Sequence, residues 1–202
     1  MRYSRHPLDD LILDEATQKI YDDYVERFGT ERKRGIYRYK NFPRFSYALG
    51  VLPRGGRVLD VGVFTGQFLD ILTLSGKFDE VVGIDIVKKP GFHTLSSNYN
   101  FQIADCRSLP FADNSFDSVV CMEVLEHLEV QDFPIALAEV RRVCMGRLIV
   151  SVPYNEQPPL SRNHRQAFDD DKINSWFKDA KGTILTEHGK DIWVMLEENL
   201  SN

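Results

Sequence analysis

Cysteine and long apolar runs are both scarce in this chain of 202 residues. Its three cysteines, Cys106, Cys121 and Cys144, are odd in number and show no Cys-x-x-Cys spacing. That excludes a disulfide framework or a zinc ribbon and leaves reduced thiols. The longest apolar stretches, around 58–64 and 148–152, are strand length, far short of the ~20 residues that cross a bilayer. The first residues, MRYSRHPLDD, contain no apolar signal region. The expectation is a cytoplasmic protein with no membrane partner. Charge of one sign is not in large excess: 25 Lys and Arg against 30 Asp and Glu give a net charge of −5. This weakens any function in which phosphate contacts over the whole surface supply the affinity. What is present is a globular balance, 43% hydrophobic and 27% charged, sufficient for a single buried core.

Two regions differ in pattern. Residues 8–28 place Leu8, Leu11, Ile12, Ala16, Ile20, Tyr24 and Phe28 at helical intervals and stop at Gly29, which predicts an amphipathic helix. The basic and aromatic stretch 32–44 follows, then a short helix over 44–52. Residues 1–52 thus read as an N-terminal helical or lid segment, and 53–202 as the main domain. From Arg57 the chain alternates short β-rich runs (RVLDVGV, EVVGIDI, YNFQIAD, DSVVCMEV, GRLIVSVPY) with helical or loop segments. Apolar residues in succession within those runs indicate strands covered on both faces, hence βαβ units and a mostly parallel sheet. The crossovers 66–74 and 132–143 are predicted helical. The connection 86–99 carries Pro90 and Gly91 and is expected to be reduced. After the fifth run come a polar loop, 155–168, a helix begun by Asp169 to Asp171, and two strands joined at 188–190.

The chemistry gathers where these strands end. Asp60-Val61-Gly62-Val63-Phe64-Thr65-Gly66 runs from a strand through a glycine turn into a helix. Glycine lets backbone approach a ligand, and a helix N-terminus offers N–H groups to an anion. Asp85 closes the second strand, where a carboxylate can accept from ribose hydroxyls. Asp105 ends the third strand, so three carboxylates collect at one sheet edge, where open α/β folds bind ligands. A dinucleotide fingerprint from Gly62 would need glycine at positions 64 and 67, which hold Phe64 and Gln67.

With the later strings Ser115-Phe116-Asp117 and Glu123-Val124-Leu125-Glu126-His127-Leu128, the chain resembles the class I S-adenosylmethionine-dependent methyltransferases. It is most similar to their methyltransferase type 11 branch, over roughly 57–152. The resemblance implies an α/β, Rossmann-like fold: a seven-stranded, mostly parallel sheet with an antiparallel last strand and helices on both faces. It implies S-adenosyl-L-methionine as cofactor, S-adenosyl-L-homocysteine as product, and methyl transfer to oxygen or nitrogen of a small-molecule acceptor. Carried over, Asp60, Gly62 and Gly66 form the methionine side and Asp85 holds the ribose. Ile86 covers the adenine, Asp105 accepts from its amine, the Cys106 backbone completes that edge, and Met122 and Glu123 border the methyl group. Phe64 replaces the family's middle glycine, so a Cβ and a ring must fit beside the methionine moiety.

Glu126, His127 and His164 are candidate acid–base groups, and Tyr154, Arg162, His164 and Arg165 are candidate acceptor contacts, arginine suiting a carboxylate or phosphate. No metal ligand is assigned in this reading. Two rivals remain. Glu123, Glu126, His127 and the distant His164 also resemble the metal-holding set of small-RNA 3′-end 2′-O-methyltransferases, which would make the acceptor RNA, against the acidic net charge. The Phe64 substitution, the reduced connection and the Cys144-Met145-Gly146-Arg147 sequence before the fifth strand suit a non-catalytic binding or scaffold protein.

Overall fold

The computed structural model describes residues 42–90, 92, 99–187, 190–198 and 200. The predicted helix over 8–28 and the arm up to residue 41 lie outside them. The elements are α1 (Phe42–Val51), β1 (Arg57–Val61), α2 (Gln67–Leu74), β2 (Glu80–Asp85), β3 (Asn100–Ile103), β4 (Phe116–Met122), a single 3₁₀ turn (Leu125–His127), α3 (Phe133–Val143), β5 (Cys144–Pro153), α4 (Asp170–Trp176), β6 (Lys181–Glu187) and β7 (Lys190–Glu198).

They form one seven-stranded sheet in the order β3-β2-β1-β4-β5-β7-β6. β1 pairs in parallel with β2 and β4, β2 with β3, and β4 with β5, whereas β7 is antiparallel to both β5 and β6. This is the expected mixed sheet. Residues 91 and 93–98 of the connection expected to be reduced lie outside the described residues.

Side-chain alternation along β1 explains the layers. Leu59 and Val61 face one cluster with Phe133, Leu137, Val140 and Ile173, whereas Val58 faces another with Leu49, Phe68, Leu69 and Leu72. Hence α3 and α4 cover one face and α1 and α2 the other. Each buried Leu, Ile, Val or Phe contributes roughly 1.5–3 kcal/mol, so α2, with Phe68, Leu69, Ile71 and Leu72 buried in eight residues, is anchored by packing. Close approach is set by Gly83, where a Cβ would meet Val63 and Leu69 at 2.7 and 2.8 Å. α1 buries Phe45, Ala48 and Leu49, and Leu52 just beyond it, in the same core, so this part of the 1–52 segment is continuous with the domain. Among the described residues no helix is long and apolar enough to cross a membrane.

The order in which strands are added reverses at β1, because the chain moves outward to β2 and β3 on one side before returning to lay β4 on the other. The carboxyl ends of β1, β2 and β4 therefore flank one crevice, the ligand-binding position of open α/β sheets.

Candidate active site

Asp60, paired in register with Gly83 and Val120, is 3% exposed, and its Oδ2 has no hydrogen-bond partner among the described residues. Burial, and secondarily the charge of Asp85, push its pKa up to about 7. Two residues on, Gly62 turns the chain with φ +80°, and a Cβ there would lie 2.3 Å from Val124 Cγ2. Glycine is required on both counts. The N–H groups of Gly62 and Val63 both donate to the Ile84 carbonyl at 2.8 and 3.1 Å, tying the turn to β2.

Phe64 occupies the left-handed region with φ 51°, the conformation a glycine would take, at a cost of roughly 1–2 kcal/mol for a side chain with a Cβ. Its ring is 61% exposed, so it stands out from the core. Asp85 holds this conformation: Oδ2 accepts from the Phe64 N–H at 2.9 Å and Oδ1 from the Val87 N–H at 3.3 Å. Each oxygen keeps a further lone pair. Gly66, also left-handed, caps α2 without a side-chain hydrogen bond, and the buried Thr65 Oγ1 has no partner among the described residues.

Ile86 and Ile103, at the ends of β2 and β3, are 63% and 67% exposed, an apolar lip beside Asp85. Asp105 is engaged by Arg107, whose guanidinium donates from Nε at 3.0 Å and from NH2 at 2.6 Å and also reaches Asp132 at 2.7 Å. Hydrogen bonding to Arg107 holds the Asp105 carboxyl below its usual range. Burial, with help from Asp105, pushes the half-buried Cys106 thiol up to about 11. Met122 is buried. Glu123, at φ 55°, accepts from Ser151 Oγ at 3.0 Å and lies 3.7 Å from Arg44.

Beyond β4 a second group assembles. Ligand-type atoms of Glu126, His127 and His164 all lie within 4.8 Å of one another, and the two rings meet edge to face at 5.1 Å. Glu126 is 1% exposed, and neither carboxylate oxygen accepts a hydrogen bond among the described residues. Burial, then the charge of Glu123, raises its pKa well above the carboxylate range. His127 Nδ1–H donates to the Asn163 carbonyl at 3.0 Å, and His164 Nδ1–H to Glu156 Oε2 at 2.5 Å. Carbonyl and carboxylate oxygens only accept, so in the neutral rings the lone pair sits on Nε2.

The loop 155–168 grips this turn. Arg165 N–H donates to the Glu126 carbonyl at 2.8 Å. The buried Gln166 donates from Nε2 to the carbonyls of Leu125 and Leu128, each at 2.9 Å, and accepts from Lys172. Of the other predicted acceptor contacts, Tyr154 donates to Asp170 Oδ1 at 3.1 Å and packs on Trp193. Arg165 lies 3.5 Å from Glu129, and Arg162 is exposed. Sequence reasoning missed Thr65, Glu156, Asn163 and Gln166. Thr65 lay inside the quoted turn; the others carry no local signal, because their partners are 8 to 41 residues away.

The strand order, the switch between β1 and β4 and the glycine turn below Asp60 define a class I methyltransferase fold. Residues 59–147 match the family profile described as a methyltransferase domain, and the chain carries a class I S-adenosylmethionine-dependent methyltransferase domain. The chain is 30% identical over 156 residues to the ubiquinone/menaquinone biosynthesis C-methyltransferase UbiE of Geotalea uraniireducens (strain Rf4), covering 67% of this chain and 62% of that protein. It is 25% identical over 177 residues to the tRNA (carboxymethyluridine(34)-5-O)-methyltransferase alkbh8 of Xenopus tropicalis, covering 85% of this chain and 26% of that one. The chain thus spans less than two thirds of these relatives. The solved Burkholderia thailandensis 1,6-didemethyltoxoflavin-N1-methyltransferase, with bound 1,6-didemethyltoxoflavin and S-adenosylhomocysteine, shares the fold at a TM-score of 0.62 and 16% identity, covering 100% of this chain and 94% of that one.

Proposed function

We propose that this protein transfers the methyl group of S-adenosylmethionine to an oxygen or nitrogen of a small-molecule acceptor. The observation that carries the reading is the set of orphaned polar atoms, Asp60 Oδ2 and Thr65 Oγ1, beside a turn left-handed at Gly62, Phe64 and Gly66. Buried polar atoms without partners are costly, and a zwitterionic ligand with hydroxyl groups would satisfy them. The residues present fit that cofactor. Asp60 and the turn would hold the methionine end, Asp85 the ribose, and Ile86 with Ile103 the faces of the adenine. Asp105, with the Cys106 backbone, would accept from the adenine amine through lone pairs left free by Arg107, and Met122 and Glu123 would border the sulfonium.

The bound cofactor supplies a sulfonium carbon that is already electrophilic, which leaves the protein to orient the acceptor and exclude water. Acceptor contacts would come from Tyr154, Arg162 and Arg165, and, with no ion bound, an acceptor proton would pass to an Nε2 lone pair of His127 or His164 beside Glu126. A small acceptor rather than RNA is favoured by the net charge of −5, since nucleic-acid affinity rests on phosphate neutralisation. That same corner also contains three of the four groups that prompted the RNA comparison. Glu123 is instead engaged by Ser151 and Arg44.

Calorimetric titration of S-adenosylhomocysteine tests the reading. Micromolar binding, weakened by about 1–3 kcal/mol in Asp85→Ala through loss of charge-assisted hydrogen bonds, supports it. Absence of binding in the wild type would favour the scaffold alternative, and methylation of RNA ends but of no small molecule would favour the RNA alternative.

A further inference from the structure

We propose that Glu126, His127 and His164 form a binding site for one divalent transition-metal ion, whose open coordination positions take an oxygen of the methyl acceptor. The metal site stands on its own geometry; its role toward the acceptor rests on the reading above.

Three observations carry it. First, one carboxylate and two imidazoles converge to within 4.8 Å. Ligand atoms about 2.1 Å from a tetrahedral ion stand roughly 3.4 Å apart, a difference that side-chain rotation can close. Second, Glu126 is 1% exposed with neither oxygen hydrogen-bonded among the described residues. Its ion-pair contact among the described residues is His127 Nε2 at 3.7 Å, and a cation between the carboxylate and the rings would give this buried group a closer partner. Third, the outer partners are already built. Metal-binding histidines donate their other N–H to a carbonyl or carboxylate. Here Asn163 O takes the His127 proton and Glu156 takes the His164 proton, at 3.0 and 2.5 Å. Glu156 is itself fixed by the Ser161 N–H and hydroxyl at 3.0 and 2.5 Å.

The donor set selects the ion. Two imidazoles with a single carboxylate suit Zn²⁺, Mn²⁺, Fe²⁺ or Co²⁺, whereas Mg²⁺ and Ca²⁺ prefer oxygen ligands throughout. Glu123 is no ligand here, because Ser151 and Arg44 engage it. Three protein ligands leave coordination open, as in catalytic rather than structural sites, and His127, 44% exposed at its side chain, opens the site to the acceptor. Toward a hydroxyl acceptor the ion weakens the O–H bond, and the proton leaves to bulk water. The oxygen then forms its bond to the methyl carbon as the carbon–sulfur bond breaks, its electron pair staying on sulfur.

The test is calorimetric titration of the chelator-treated 202-residue chain with Zn²⁺, Mn²⁺ and Mg²⁺, with the visible ligand-field spectrum of Co²⁺ as a second readout. Saturable binding of one Zn²⁺ or Co²⁺ is expected. It should fall at least tenfold in His164→Ala and in the exposed-site variant His127→Ala, and about 10- to 100-fold in Glu156→Gln, which touches only the outer partner. Circular dichroism of each variant separates lost ligands from lost fold. Failure of the wild type to bind, affinity unchanged in folded His164→Ala, or binding of Mg²⁺ alone would overturn the proposal. Metal binding without S-adenosylhomocysteine binding would leave the site standing and remove its role toward the acceptor; the converse would remove the metal site alone.

Discussion

The two ends of the crevice are built on different principles. At the end formed by β1 and β2, proposed above to hold the cofactor, the polar groups come from neighbouring positions on β1, β2 and the turn between β1 and α2, and each Asp85 oxygen accepts from one backbone N–H, at 2.9 and 3.3 Å, with a lone pair left over. At the other end, proposed above to face the acceptor, Glu126 and His127 meet His164 because the loop 155–168 folds back on the turn after β4, through Asn163, Arg165 and Gln166. The first end is locally encoded and tolerates a deviation such as Phe64, because Asp85 holds the altered residue in the glycine conformation. The second depends on long-range contacts and leaves the buried Glu126 carboxylate with no hydrogen-bond donor among the described residues.

The largest expected effect lies at the cofactor end and concerns pH. Asp60 has a folded-state pKa raised from 3.8 to about 7, mainly by burial and then by Asp85. Between those values the folded chain keeps a proton that the unfolded chain releases, so stability falls as pH rises through that window. At about 1.4 kcal/mol per pH unit the loss is of order 4 kcal/mol. Urea melts from pH 4 to 8 should show this decline in the wild type and a flatter profile in Asp60→Asn, with weaker S-adenosylhomocysteine binding. An equally steep profile in the variant would assign the slope to another group.

A smaller effect separates the two ends. Gln166→Leu removes both donors to the Leu125 and Leu128 carbonyls and the acceptor for Lys172, and should cost about 2–3 kcal/mol by leaving polar groups unsatisfied. Its S-adenosylhomocysteine affinity should stay within about twofold of wild type, because the loss falls on the acceptor end. A large loss of that affinity would show that the ends are coupled. The smallest effect is at Phe64: replacement by Gly relieves the left-handed strain and should stabilise the fold by about 1 kcal/mol, net of the entropy glycine adds to the unfolded chain. Thermal melts would check this, and destabilisation would mean that the exposed ring has a packing role.

The strand runs, their parallel pairing and the glycine turn after β1 were legible in the sequence because their determinants are periodic or local. Successive apolar residues in Val58-Leu59 and Leu148-Ile149-Val150 mark strands buried on both faces, and Gly62 and Gly66 mark a turn at any level of description. Strand ends were less legible: β1 stops at Val61 because Gly62 and Val63 turn to donate to Ile84. Arg107 was silent as well, since its hold on Asp105 and Asp132 depends on side-chain direction and on a residue 25 positions away.

By itself, then, the sequence determined the alternation of elements, the carboxylates at the strand ends and the residue types available for chemistry, because these follow from side-chain period and backbone freedom. Only the tertiary structure decided which of those groups meet. Packing of the loop 155–168 on the turn after β4 brings His164 to Glu126 and His127, and leaves Glu126 only 1% exposed. Burial is a property of the assembled core, and no stretch of sequence carries it alone.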